Sequence, residues 1–210
     1  MRKLILLMPT ILLIGCAGKV GYSPPALRTA QPNSITINEP LATVWSQAVP
    51  RLGKQFFVIN NLDKDSGLIN ISYSGDPERY IDCGRITSHV QNLRGTRDYD
   101  FPAAAAYQAY EILQNGQYAQ IHRRMELEGR VNLIFEAVGR NETRVSANTK
   151  YVVTKTITSP THSGMLKDSI DFTSGNGATF PGLHTTECRA TGELEQQILD
   201  AVAGRSVQTQ

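Results

Sequence analysis

From Ile121 to Ala137 the chain alternates between two kinds of residue without a slip. The odd positions read Ile121, Arg123, Met125, Leu127, Gly129, Val131, Leu133, Phe135 and Ala137. The even positions read His122, Arg124, Glu126, Glu128, Arg130, Asn132, Ile134 and Glu136. A two-residue period puts the first set on one face of a strand and the second on the other. Gly139 to Glu142 then turn the chain, and Val145, Ala147, Tyr151 and Val153 carry an apolar face onto the next strand. Two long antiparallel strands with one dry face and one wet face follow from this pattern.

The flanking segments supply what must cover the dry face. Ser34 to Ile37 alternate as a short strand. Leu41, Val44, Trp45, Ala48 and Leu52 then recur at helical spacing, with Asn38 as the expected cap, Pro40 in the first turn and Gly53 as the stop. Phe56 to Ile59 read as a strand, Asp63 to Gly67 as a turn, and Leu68 to Tyr73 as the returning strand. Asp100-Phe101-Pro102 followed by AAAAYQAYEIL reads as an inserted helix stopped by Asn115-Gly116. The Ser-, Thr- and Gly-rich stretch from Ser159 to Gly177 reads as a long mobile loop. Phe180 to Ala190 form the last expected strand, and a closing helix carries Leu194, Ile198 and Val202 on one face and ends at Gly204. The expected fold class is α+β: an antiparallel sheet gripping a C-terminal helix, with an inserted helix.

The N-terminus carries a different signal. Arg2 and Lys3 precede an uncharged run from Leu4 to Ile14. As a helix that run spans roughly 16 Å, against about 30 Å for a bilayer core, so it reads as a secretory signal peptide over residues 1–15. Leu13-Ile14-Gly15-Cys16 resembles the bacterial lipobox, in which the cysteine receives diacylglycerol and becomes the first residue of the mature chain. The resemblance implies lipidation at Cys16, and Ala17 after it points to the outer membrane. Without Arg2 and Lys3 the remaining 19 basic residues balance the 19 acidic ones, so nothing directs the chain to nucleic acid. Residues 16–33, with Pro24, Pro25 and Pro32, read as a lipidated cysteine and a flexible tether. Residues 34–204 then form one domain, and residues 205–210 a disordered tail.

The run ITINEPLATVWSQAVPRLGKQFFVINNLDKDSGLINISY resembles the helix-grip module of the BamC family of lipoproteins, which serve the outer-membrane β-barrel assembly machine. A strand leads to a helix carrying Trp45, then a strand, then a turn through Ser66 and Gly67 into the next strand. The resemblance implies a helix-grip domain working on protein partners. The chain has room for one such module where that family has two.

Catalytic constellations are not evident in the sequence. His89, His122, His162 and His184 lack ligand spacing, so neither a metal nor a cofactor is expected. Glu126 and Glu128 share a face with Arg124 and Arg130, which makes a solvated charge ladder rather than an acid–base pair. Trp45 belongs to the core stripe of its helix. Tyr99, Phe101, Tyr107, Tyr110 and Tyr118 cluster around the inserted segment and form the candidate partner surface, with capping of one open sheet end as the alternative. Past the inner membrane, the two cysteines other than Cys16, Cys83 and Cys188, are expected to pair. The expected function is therefore a non-catalytic, lipid-anchored, periplasm-facing outer-membrane lipoprotein, an envelope assembly or secretion accessory. Its anchor engages the membrane, and its partner is another envelope protein. The alternative is a carrier or sensor of an apolar ligand held between sheet and C-terminal helix, for which Gly129 and Ala137 are the hints.

Overall fold

A computed structural model describes residues 17–27, 31–55, 57–181 and 185–205. The expected signal peptide over residues 1–15, the expected lipidation site Cys16, Phe56, His184 and the part of the expected tail beyond residue 205 lie outside the described residues. In chain order the elements are β1 (Ala17–Ser23), β2 (Ser34–Ile37), α1 (Leu41–Leu52), β3 (Val58–Asp63), β4 (Leu68–Gly75), β5 (Ile81–Asp82), β6 (Arg85–Asn92) and β7 (Gly95–Pro102). They continue with β8 (Tyr107–Gln114), β9 (Gln117–Gly139), β10 (Glu142–Ser159), β11 (His162–Thr173), β12 (Gly177–Phe180), β13 (Thr186–Ala190) and α2 (Glu193–Ala203). The result is an antiparallel β protein with two helices, α+β in class.

The alternating segment is the backbone of the molecule. β9 and β10 form one long ribbon whose pairing runs from Glu142 opposite Gly139 to Thr158 opposite His122. Each outer edge of the ribbon is long enough to take two strands in tandem. Along β9, β4 pairs residues 127–134 and β8 pairs residues 117–124. Along β10, β2 pairs residues 143–146 and β11 covers residues 150–159. β3 then pairs β4 and ends the sheet on that side.

The dry face of the β4 half receives both helices. Val44, Trp45, Ala48 and Leu52 of α1 are buried, and the Trp45 ring meets Phe135 edge-on at 5.2 Å. Leu194, Ile198, Leu199 and Val202 of α2 are essentially inaccessible to water, which contributes about 8 kcal/mol gross for the four side chains. The helices also join each other, since Arg51 Nη1 donates to the Val202 carbonyl at 2.7 Å and satisfies an orphan acceptor at the end of α2. Over the β8 half lies a smaller sheet of order β1-β6-β7, tied down by Ser88 Oγ donating to the Glu111 carbonyl at 2.6 Å. A third sheet, β12-β13-β5, closes the base.

Several sequence expectations are overturned. The inserted helix does not exist: β7 ends at Pro102, Ala103 to Ala106 turn, and YQAYEILQ is strand β8. Its tyrosines and isoleucine suit a strand, and Asn115-Gly116 is the two-residue hairpin that returns the chain into β9 rather than a helix stop. The loop expected over Ser159 to Gly177 is mostly β11. That strand exposes nearly every side chain except Phe172, so backbone pairing with β10 holds it instead of apolar burial. The tether over residues 16–33 is also corrected, because Ala17 to Ser23 pair with β6 at seven positions and Pro25 is buried. Asn38 does not cap α1; Pro40 occupies that position and its carbonyl accepts from Thr43 and Val44. The expected last strand from Phe180 to Ala190 is two strands, β12 and β13.

The expected disulfide is present. Arg189 faces Asp82 and Ala190 faces Ile81, so the next pair in register is Cys188 with Cys83, whose Cα atoms lie 4.0 Å apart in a bonded cystine. The bridge joins positions 105 residues apart and ties the last strand to the middle of the chain. Replacing both cysteines by serine should lower stability by at most about 4.7 kcal/mol, the chain-entropy figure for a loop of about this length. Urea unfolding of oxidised wild type against the double variant measures it.

Candidate interaction surfaces

α2 is seated by polar contacts as well as by its apolar stripe. Glu195, 2% exposed, accepts from the Tyr151 hydroxyl at 2.7 Å and from Ser174 Oγ at 2.6 Å. Gln197 Oε1 accepts from the Tyr80 hydroxyl at 2.7 Å. Burial drives both phenols upward, Tyr80 to about 12, and at Tyr151 the Glu195 charge adds to the effect. These groups act as neutral donors to a buried carboxylate and a buried amide, which fixes the rotation of the helix on the sheet.

Neither hint of an apolar ligand site marks a cavity. A Cβ on Gly129 would stand 2.9 Å from Leu194 Cδ2, so the missing side chain is the space that α2 occupies. Ala137 is exposed near the end of β9. The clefts have mixed polar and apolar linings, and the one that passes Gly129 lies on the wet face among Asn60, Asn70, Ser72, Glu128 and Arg130. One of about 230 Å³ sits at the head of α2, among Gln31, Asn33, Asp82, Ser174, Arg189 and Glu195.

The wet face of the ribbon is a continuous polar surface. Asn60 Nδ2 donates to Asn70 Oδ1 at 3.0 Å and Asn70 Nδ2 to Asn132 Oδ1 at 2.7 Å. Asn148 stands opposite Asn132 and takes a bond from Asn33 Nδ2 at 3.0 Å. This row of amides crosses the sheet perpendicular to the strands. Glu126 and Glu128 are exposed beside Arg124 and Arg130, and Lys150 pairs with Asp171 at 3.1 Å, which fits the solvated ladder expected there.

The five aromatics of the candidate partner surface do not share one surface. Phe101 and Tyr110 are core, 5% and 7% exposed, with ring centres 5.0 Å apart. Tyr99 lies half-buried at their edge. Tyr107 projects from the opposite, wet face, with His122 edge-on at 5.9 Å and the Arg124 guanidinium 5.6 Å from its ring centre. Tyr118 is half-buried beside Glu111 and Arg97, which are bonded to each other. The β8 strand pattern, unlike a helix, sends Tyr107 and Tyr110 to opposite faces.

His89 is bonded to Asp98 at 2.7 Å and His162 to Thr161 at 3.0 Å. Among the described residues no group of three or more His, Cys, Asp and Glu is placed to hold a metal, and no helix is long and apolar enough to cross a membrane.

Two buried cations on the dry face escaped sequence reasoning. Arg123, 1% exposed, donates through Nε and Nη2 to the Ala103 carbonyl at 3.3 and 3.0 Å. Lys155, fully buried, places Nζ 4.4 Å from the Phe180 ring centre. Burial first and the Arg123 charge second push the Lys155 ammonium down to about 8. The signal was present in part, since Arg123 is the one charged residue in the inner row of the alternation.

This pair makes stability depend on pH. Below about pH 8 both folded and unfolded chains hold the Lys155 proton. Between there and the ordinary value of 10.5 the folded chain releases it first, so stability rises with pH. The rise is at most about 3 kcal/mol, and the raised tyrosines oppose it only above about pH 10. Lys155→Met should flatten the profile between pH 8 and 10, as read by urea unfolding across that range. Compared with known proteins, the chain matches no family model, no characterised protein and no solved structure.

Proposed function

We propose that the mature chain is a non-catalytic lipoprotein, anchored through lipid on Cys16 to the periplasm-facing side of the outer membrane. There it serves envelope assembly or secretion through protein contacts made by a helix-grip-type domain. The observation that carries this reading is the junction at Cys16. A lipobox cysteine stands directly before Ala17, the first residue of β1, so cleavage before Cys16 would keep every strand of the fold. The Cys83–Cys188 bond supports it, because such bonds persist in oxidising compartments.

Two surfaces suit protein contact. β3 is an edge strand with Val58 61% and Leu62 46% exposed, a template that can accept a partner's strand. The polar wet face beside it supplies side-chain specificity.

Cys16→Ser should abolish acylation and release the protein from the outer-membrane fraction as an uncleaved or soluble form. A variant that still fractionates at mature size with the outer membrane overturns the anchor. Crosslinking in cells followed by capture of the wild-type protein should retain a specific envelope protein, and Val58→Asp with Leu62→Asp should weaken that capture.

A further inference from the structure

This inference rests on lipidation of Cys16, proposed above, and concerns how the anchor orients the domain. The seven residues after Cys16 form β1, with Ala17 opposite Gln91 and Gly18 opposite Val90. β1 is also pinned from its other side. A Cβ on Gly18 would lie 2.2 Å from the Leu113 carbonyl oxygen, so the strand is packed against the end of β8 as closely as a backbone allows. No free segment separates the anchoring residue from the folded domain.

The pairing places Ala17 beside the tip of the β6–β7 hairpin. Leu93 lies two residues beyond Gln91, so with about 5 Å between strands and about 3.4 Å per residue its Cα is within about 10 Å of Ala17. Cys16 adds about 3.8 Å. The headgroup layer of a bilayer is about 5–8 Å deep on each side. A lipid on Cys16 therefore keeps Leu93 within about 14 Å of the anchored residue, close enough to enter the headgroup layer when this end of the domain faces the bilayer.

The chemistry of this end suits that position. Leu93 is 92% exposed, the most exposed large apolar side chain among the described residues, and Arg94 follows it in the turn. The β8–β9 tip, Asn115-Gly116, lies at the same end, with Tyr118 half-buried just behind it. Lys19 is exposed on β1. The nearest carboxylates, Asp98 and Glu111, are engaged by His89 and Arg97. An apolar side chain, an amphipathic aromatic and cations are what an interfacial contact with an anionic lipid surface uses.

We propose that the acylated Cys16 holds this domain without slack, with Leu93 and Arg94 seated in the headgroup layer of the membrane that carries the anchor. The β9–β10 ribbon, at most about 75 Å long by strand rise, then points away from the bilayer. Its far turn at Arg140 and Asn141, together with the β3–β4 turn that pairs beside it, faces the periplasm.

The test uses full-length protein purified from bacterial membranes and reconstituted into vesicles of phosphatidylethanolamine and phosphatidylglycerol with brominated acyl chains. Intact mass first reports the acyl groups on Cys16; their absence overturns the lipoprotein reading and this inference with it. In acylated protein, the indole of Leu93→Trp should lose at least about half its emission to the brominated lipid, and that of Arg140→Trp should lose none. Trp45, in the core, contributes a constant background. Acylated Leu93→Trp quenched no more than Arg140→Trp overturns the docking and leaves the lipoprotein reading standing. An insert of about ten Gly and Ser residues after Cys16, spanning about 17 Å, should relieve the quenching. Undiminished quenching with that insert overturns the role of the short attachment.

Discussion

Every other element is positioned by the pairing of β9 with β10. The ribbon is longer than any strand that joins it, so each of its edges takes two strands, and the change of partner divides the molecule. On the β4 and β2 half the dry face is covered by two helices; on the β8 half it is covered by a second sheet. A register slip of one residue would turn Leu127, Val131, Leu133 and Phe135 to water and the charged row inward. That constraint is what holds the register over so long a pairing.

Polar groups then decide how the covering elements sit. An apolar stripe alone would let α2 roll on the sheet, because dispersion and hydrophobic burial have little directionality. The Glu195 carboxylate between Tyr151 and Ser174, and Gln197 beneath Tyr80, allow one rotation only. The cystine fastens the strand leading into the same helix. β1 joins this network through Tyr22, whose hydroxyl accepts from the Glu187 backbone N–H at 2.8 Å and lies 3.2 Å from the Cys83 carbonyl. The first residue of β1, Ala17, and the disulfide are thus mechanically coupled through one strand.

That coupling bears on the proposed attachment. A long tether would let a domain sample all orientations; a lipid on Cys16, one residue from a paired strand, would not. The row of asparagines and the open β3 edge belong to the half of the ribbon away from β1, the side left free in the proposed attachment.

What the sequence by itself determined was what side-chain burial writes into it. The two-residue alternation placed β9 and β10, helical spacing placed α1 and α2 with Trp45 in the core, and cysteine chemistry paired Cys83 with Cys188. Only the tertiary structure made strands of β1, β8 and β11. β1 and β11 gain order from backbone hydrogen bonds to a neighbour already in place, and their own side chains stay largely exposed, so no periodic apolar signal records them. Before β8 the alanine run from Ala103 to Ala106 mimicked the start of a helix, whereas it turns the chain and pairing with β9 makes Tyr107 to Gln114 a strand. The same holds for Arg123 and Lys155, which are buried because the register of the ribbon gives them no other face, and a register is a property of two strands rather than of either alone.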